Sequence, residues 1–88
     1  MNKDRRKVIE EARSEIERAM GIIDDAKSMI ESAKDEEQDY FDNMPESFQQ
    51  GDKGQQAEAA VSALGDAYND LDGFDFDNIL SQLDDAAQ

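Results

Sequence analysis

Carboxylates are the only side chains in this sequence numerous enough to do chemistry. The 88 residues include 23 Asp and Glu against 9 Lys and Arg, with no His and no Cys. That composition removes Ser-His and Cys nucleophiles and every imidazole or thiolate metal ligand. The densest carboxylate run is Asp70-Leu71-Asp72-Gly73-Phe74-Asp75-Phe76-Asp77. In an EF-hand frame with Gly73 at the sixth position, Asp70 and Asp72 fall at the third and fifth. The first position is then Tyr68 and the twelfth Ile79, so the first and the bidentate ligands are missing. The run reads better as a Gly turn flanked by helix caps. Two carboxyls can also hydrolyse a glycosidic bond. They need a cleft that holds them in different environments, and a short helical chain has little room for one. The expectation is a protein with no enzymatic activity, no bound metal and no cofactor.

The carboxylates are more informative as a field than as reagents. Residues 1–34 carry eight bases and eight acids; residues 35–88 carry fifteen acids and one base, Lys53. The whole net charge of −14 therefore belongs to the second part. Such a chain is not expected to bind DNA, RNA or an anionic membrane, because phosphate contacts need Lys and Arg. Unneutralised carboxylates on rigid helices can instead imitate a row of phosphates and attract a basic protein surface. The candidate partner-binding residues are Asp66, Asp70, Asp72, Asp75 and Asp77, with Asp35, Glu36, Asp39 and Asp42 as a second patch. Phe74 and Phe76 are candidate apolar anchors. Two alternatives stand beside this reading: a helical adaptor that binds through apolar contacts and is acidic for solubility, and a structural homo-oligomer. Charge-driven binding weakens steeply with salt, whereas apolar binding does not.

Helices must position these groups. Ile9, Ala12, Ile16, Ala19, Ile23, Ala26, Ile30 and Ala33 alternate at spacings of three and four, a heptad seam with Ile at a and Ala at d. Met20, Ile22 and Met29 at e or g widen it. Proline is absent before Pro45, and Gly21 is the only weak helix former inside. This predicts one helix over about 3–41. Glu10, Glu17, Asp24 and Glu31, interleaved with Arg13, Lys27 and Lys34 at helical spacing, read as a solvated charge ladder on its outer face. Ala57, Ala60, Val61, Leu64, Ala67, Tyr68 and Leu71 predict a second helix over 53–72. Gly73 breaks it. Asp75 or Asp77 then caps a short third helix over 75–87 carrying Ile79, Leu80 and Leu83.

The two arms have nearly equal length by rise per residue. The expected fold is all-α: a single domain over 1–88, folded as an antiparallel hairpin whose second arm kinks near Gly73. Eleven of the 33 apolar residues are Ala, so the core is thin. A domain this small is marginal alone. A homodimer, with two hairpins forming a four-helix-like bundle over the Ile/Ala seam, would supply the missing burial.

Residues 42–52 form the connector. Acids and no base run from Asp35 to Ser47, opposing the dipole at the first helix's C-terminus. The helix is expected to fray there unless Tyr40, Phe41, Met44 and Phe48 pack. Asn43-Met44-Pro45-Glu46 reads as a short helix start with Asn43 as cap, and Asp52 as the cap of the next helix. The segment Asp42-Asn43-Met44-Pro45-Glu46-Ser47-Phe48-Gln49 lies between a long charged helix and an Ala-rich one. In that setting it resembles a group of small acidic proteins of phage and prophage gene clusters, over roughly residues 3–71. The group supplies no activity for any residue. The resemblance implies a phage protein acting in a bacterial host cell, where short acidic proteins often antagonise nucleic-acid enzymes. A host defence protein with a basic surface, such as a CRISPR effector or restriction nuclease, would then be the partner.

The basic stretch Met1 to Lys7 is followed by charged residues rather than an apolar segment, so no signal peptide is expected. No run approaches the ~20 apolar residues of a membrane span. The expected location is cytoplasmic.

Overall fold

The computed structural model describes residues 2–88, and they form four helices with no strand among them: α1 (Lys3–Asp42), α2 (Glu46–Gln49), α3 (Asp52–Asp72) and α4 (Phe76–Ala86). The protein is all-α. Its contacts divide it into two compact units, one joining the residues up to Asp24 with Phe74–Gln88, the other Asp25–Gly73.

α1 begins at a side-chain cap. Asn2 Oδ1 accepts the Arg5 backbone N–H at 2.9 Å, satisfying one of the orphan donors of the first turn. Its acidic C-terminus does not fray early. Phe41 and Met44 are half-buried, and Gln49 Nε2 donates to the Phe41 carbonyl at 3.0 Å, occupying an acceptor that the helix end leaves open. Of the four residues whose packing would prevent fraying, Tyr40 and Phe48 stay exposed at 51% and 52%.

Two of the expected caps are corrected. α2 starts after Pro45 (φ −56°, ψ 148°), not at Asn43. A proline disfavours helical backbone in the residue before it, so Met44 cannot be a helical residue and the helix must start later. α3 is capped by Gly51, with Asp52 already its first helical residue. Asp52 acts there through the dipole, not through a cap bond. At the third helix the cap is Asp75, whose side chain accepts from the Asn78 backbone N–H at 2.9 Å.

The half-buried face of α1 is a rotated version of the expected one. It contains Ile9, Ile16, Ile23 and Ile30, but the row that accompanies them is Arg13, Met20, Lys27, Lys34 and Phe41. Ala12, Ala19 and Ala33 are exposed and only Ala26 is half-buried. The seam within the chain thus uses heptad positions a and e. Arg13, Lys27 and Lys34, expected on the outer charge ladder, belong to this inner face. In the Asp25–Gly73 unit, Lys27 Nζ reaches Asp72 Oδ1 at 2.6 Å and lies 5.3 Å from the Tyr68 ring centre. In the other unit, Arg13 Nε meets Asp84 Oδ1 at 2.9 Å.

Burial is shallow. Among the described residues the buried set is Gly54 and Ala57 in α3 and Leu80 in α4. The glycines of the helices differ sharply in what surrounds them. Gly21 has open space where a Cβ would stand. Gly21→Ala is therefore expected to raise stability by about 0.5–1 kcal/mol, by removing unfolded-chain freedom at an exposed helical position. A urea titration followed by circular dichroism checks it.

Candidate functional site

The predicted acidic residues sit on different elements, and each meets a different local environment. In the Asp25–Gly73 unit, Asp35, Asp39 and Asp42 recur at spacings of four and three on the exposed back of α1, with Glu36 beside them. Asp42 accepts a hydrogen bond from Gln38 Nε2 at 2.9 Å. On α3, Asp66 and Asp70 are one turn apart and exposed. Neither takes part in an ion pair among the described residues. Asp72 differs from them. Its Oδ1 is bound by Lys27, which offsets its charge, while the side chain stays 61% exposed. The pair also offsets the unfavourable placement of an acid at the end of α3.

In the other unit, Asp75 is engaged in capping α4, while Asp77 lies exposed in that helix's first turn. Phe74 and Phe76 are brought together, with ring centres 4.8 Å apart and planes tilted by 44°. Phe76 is half-buried and Phe74 is 58% exposed. Phe76 anchors the turn, and Phe74 leaves an aromatic face in solvent. The predicted set is therefore distributed: Asp66, Asp70 and Asp72 belong to one compact unit, Asp75 and Asp77 to the other.

Cations of α1 neutralise several acids. Arg13 bonds both Asp84 and Glu17, and Arg18 bonds Glu15 at 3.0 Å. The hydrogen bond and charge of Asp84 raise the Arg13 pKa above its ordinary value, against slight desolvation, and Glu17 adds to the rise. A raised folded-state pKa contributes stability below the unfolded pKa and loses it only above the folded one. For a guanidinium that loss lies in strong alkali, so this pair holds unchanged through the neutral range.

The connector holds a further feature that helical spacing does not mark. Tyr40, Asn43, Met44, Pro45, Phe48 and Lys53 line an open, mainly apolar cleft of about 250 Å³. Lys53 Nζ stands 5.8 Å from the Phe48 ring centre, within cation–π range. The available signal was Lys53 itself, the sole base after Lys34.

Among the described residues no three carboxylates converge to hold a metal ion, and the Asp70–Asp77 run forms a helix end and a helix cap. None of those residues' helices is long and apolar enough to cross a membrane. No family model, curated protein or solved structure matches the chain.

Proposed function

We propose that this is a non-enzymatic acidic binding protein that occupies a basic, nucleic-acid-binding surface of another protein, competing with the phosphate backbone. The observation that carries the reading is the separation of charge. Arg13, Arg18 and Lys27 of α1 are already committed to acids of the same chain, while Asp66, Asp70, Asp35 and Asp39 remain exposed. Residues 35–88 offer Lys53 alone against fifteen acids, and the α1 bases that reach α3 are Lys27, at Asp72, and Lys34, beside Gly65. Carboxylates one turn apart on a helix present negative charge at fixed intervals, and such a surface accelerates capture of a basic partner.

An antiparallel hairpin in the Asp25–Gly73 unit would supply the rigid support. Moving seven residues up α1 from Lys27 to Lys34 moves the neighbouring position seven residues down α3, from Asp72 to Gly65. The likeness of the Asp42–Gln49 connector to acidic phage and prophage proteins directs the choice of partner to bacterial defence proteins that handle nucleic acid, reached in the host cytoplasm.

The test is capture from lysates of bacteria carrying defence systems, washed at low and then moderate salt. The expected result is a basic nucleic-acid-binding protein released by salt or by added DNA. Asp66→Lys with Asp70→Lys is expected to weaken capture by at least roughly tenfold, since one attraction becomes a repulsion. Capture that survives both the salt wash and the reversal would sink the proposal and shift weight to apolar docking. Phe74, solvent-exposed beside Phe76, is the observation that favours that second reading.

A further inference from the structure

The seam of α1 leaves a second apolar row unused. Positions g and d of the same heptads read Val8, Ala12, Ala19, Ile22, Ala26, Met29 and Ala33, spaced by three, four or seven residues. The large members are solvent-exposed: Val8 63%, Ile22 62% and Met29 72%. Glu15 and Glu36 are the two acids in the row, and Arg5 continues it toward the N-terminus. A soluble helix rarely leaves so regular a row of large apolar groups open without a partner. We infer that this face is the interface with a second copy of the chain, packed antiparallel along α1 with its two-fold axis between Ala19 and Ile22.

Charge selects the partner and its direction. The start of α1, Lys3–Lys7, holds four bases and one acid, and its far end, Asp35–Asp39, holds four acids and no base. A parallel pair would set acidic end against acidic end and Glu15 and Glu36 against their own copies. An antiparallel pair sets each basic end on an acidic one.

Side-chain size and charge together select the register. With the axis between Ala19 and Ile22, every large residue of the row meets an alanine: Val8 faces Ala33, Met29 faces Ala12 and Ile22 faces Ala19 across the interface. Large-on-small layers fill space at close helix spacing, which like-on-like layers cannot do evenly. Glu36 faces Arg5 in the same register. Glu15 faces Ala26 and already accepts from Arg18 of its own helix at 3.0 Å. A slip of one heptad in either direction takes Arg5 away from Glu36. The same register sets the basic end of one copy on Asp35–Asp39 of the other, so Asp66 and Asp70 of α3 are the acids of the surface proposed above that the dimer leaves open. Their reversal tests that surface and the thiol pairs test this interface, so the two failures are distinguishable.

The native chain has no cysteine, so introduced thiols report the geometry cleanly. Val8→Cys and Ala33→Cys proteins, mixed and oxidised, are expected to form the Val8→Cys–Ala33→Cys mixed disulfide, with little of either homodisulfide. Predominant homodisulfides would mean a parallel pair and overturn the inference. In sedimentation equilibrium the wild-type chain is expected to be a dimer. Ile22→Glu with Met29→Glu is expected to weaken dimerisation by more than about 100-fold while helix content persists, because those side chains lie outside the a/e seam. A wild-type chain that is monomeric at every concentration overturns the inference, as does a dimer indifferent to the double substitution. Arg5→Glu and Glu36→Arg should each weaken the dimer, and their combination should restore it.

Discussion

Replacing Gly54 by alanine is expected to disrupt the connector. A Cβ at this position would lie 2.0 Å from the Gln49 carbonyl oxygen and 2.6 Å from the Gln49 Cα. These are backbone atoms of α2, so no side-chain rotation can relieve the overlap; α2 and α3 must separate. Adding a methyl to a packed site ordinarily costs about 1–3 kcal/mol, and a backbone clash belongs at or above the upper end. A chain of this length has only about 4–13 kcal/mol of total stability to lose. The loss also releases Gln49 from the Phe41 carbonyl, the contact that closes the end of α1. Urea unfolding of Gly54→Ala should show a drop of about 3 kcal/mol or more, against a small gain in Gly21→Ala. Equal stability of Gly54→Ala and wild type would mean that α2 does not rest on α3 as described.

The contrast between those two glycines marks where the sequence was legible. The all-α character was readable because apolar residues recur every three or four positions, and because Pro45, Gly51 and Gly73 interrupt them. Gly54 carried no such signal. Its requirement comes from a close approach by a backbone segment five residues earlier, which no periodicity records.

The choice of inner row on α1 was hidden for a different reason. The Ile stripe is flanked by Ala on one side and by Arg13, Met20, Lys27, Lys34 and Phe41 on the other. Hydropathy favours the alanines. Yet a lysine or arginine stem covers more apolar surface than a methyl group, provided its charge reaches a partner. Asp84 and Asp72 are those partners, 71 and 45 residues away in sequence. Spacing alone does not separate Asp72 and Asp84, which receive cations of the first helix, from acids such as Asp66 and Asp70, which take part in no ion pair among the described residues. Asp75 shows the same ambiguity at short range: the same carboxylate suits a binding patch or a helix cap, and here it caps α4.

Truncating Leu80 to alanine is expected to give the next largest loss, and one confined to α4. Leu80 is the only large side chain in the buried set among the described residues, at 9% exposure, and it lies in an eleven-residue helix. A helix that short does not persist in water on propensity, so its existence depends on burying one face. That face is Phe76, Ile79, Leu80 and Leu83, supported by the exposed Arg13–Asp84 pair. Removing buried Leu atoms costs about 2–5 kcal/mol; partial burial and an open surroundings place this site near 2–3 kcal/mol. The Asp75 cap contributes about 1 kcal/mol and cannot hold the helix by itself. Amide hydrogen exchange distinguishes a local from a global effect. In Leu80→Ala, protection should fall at Phe76–Ala86 and persist over Asp52–Asp72, whose buried residues Gly54 and Ala57 belong to the other compact unit. Loss of protection at α3 to the same degree would mean that the two units unfold as one.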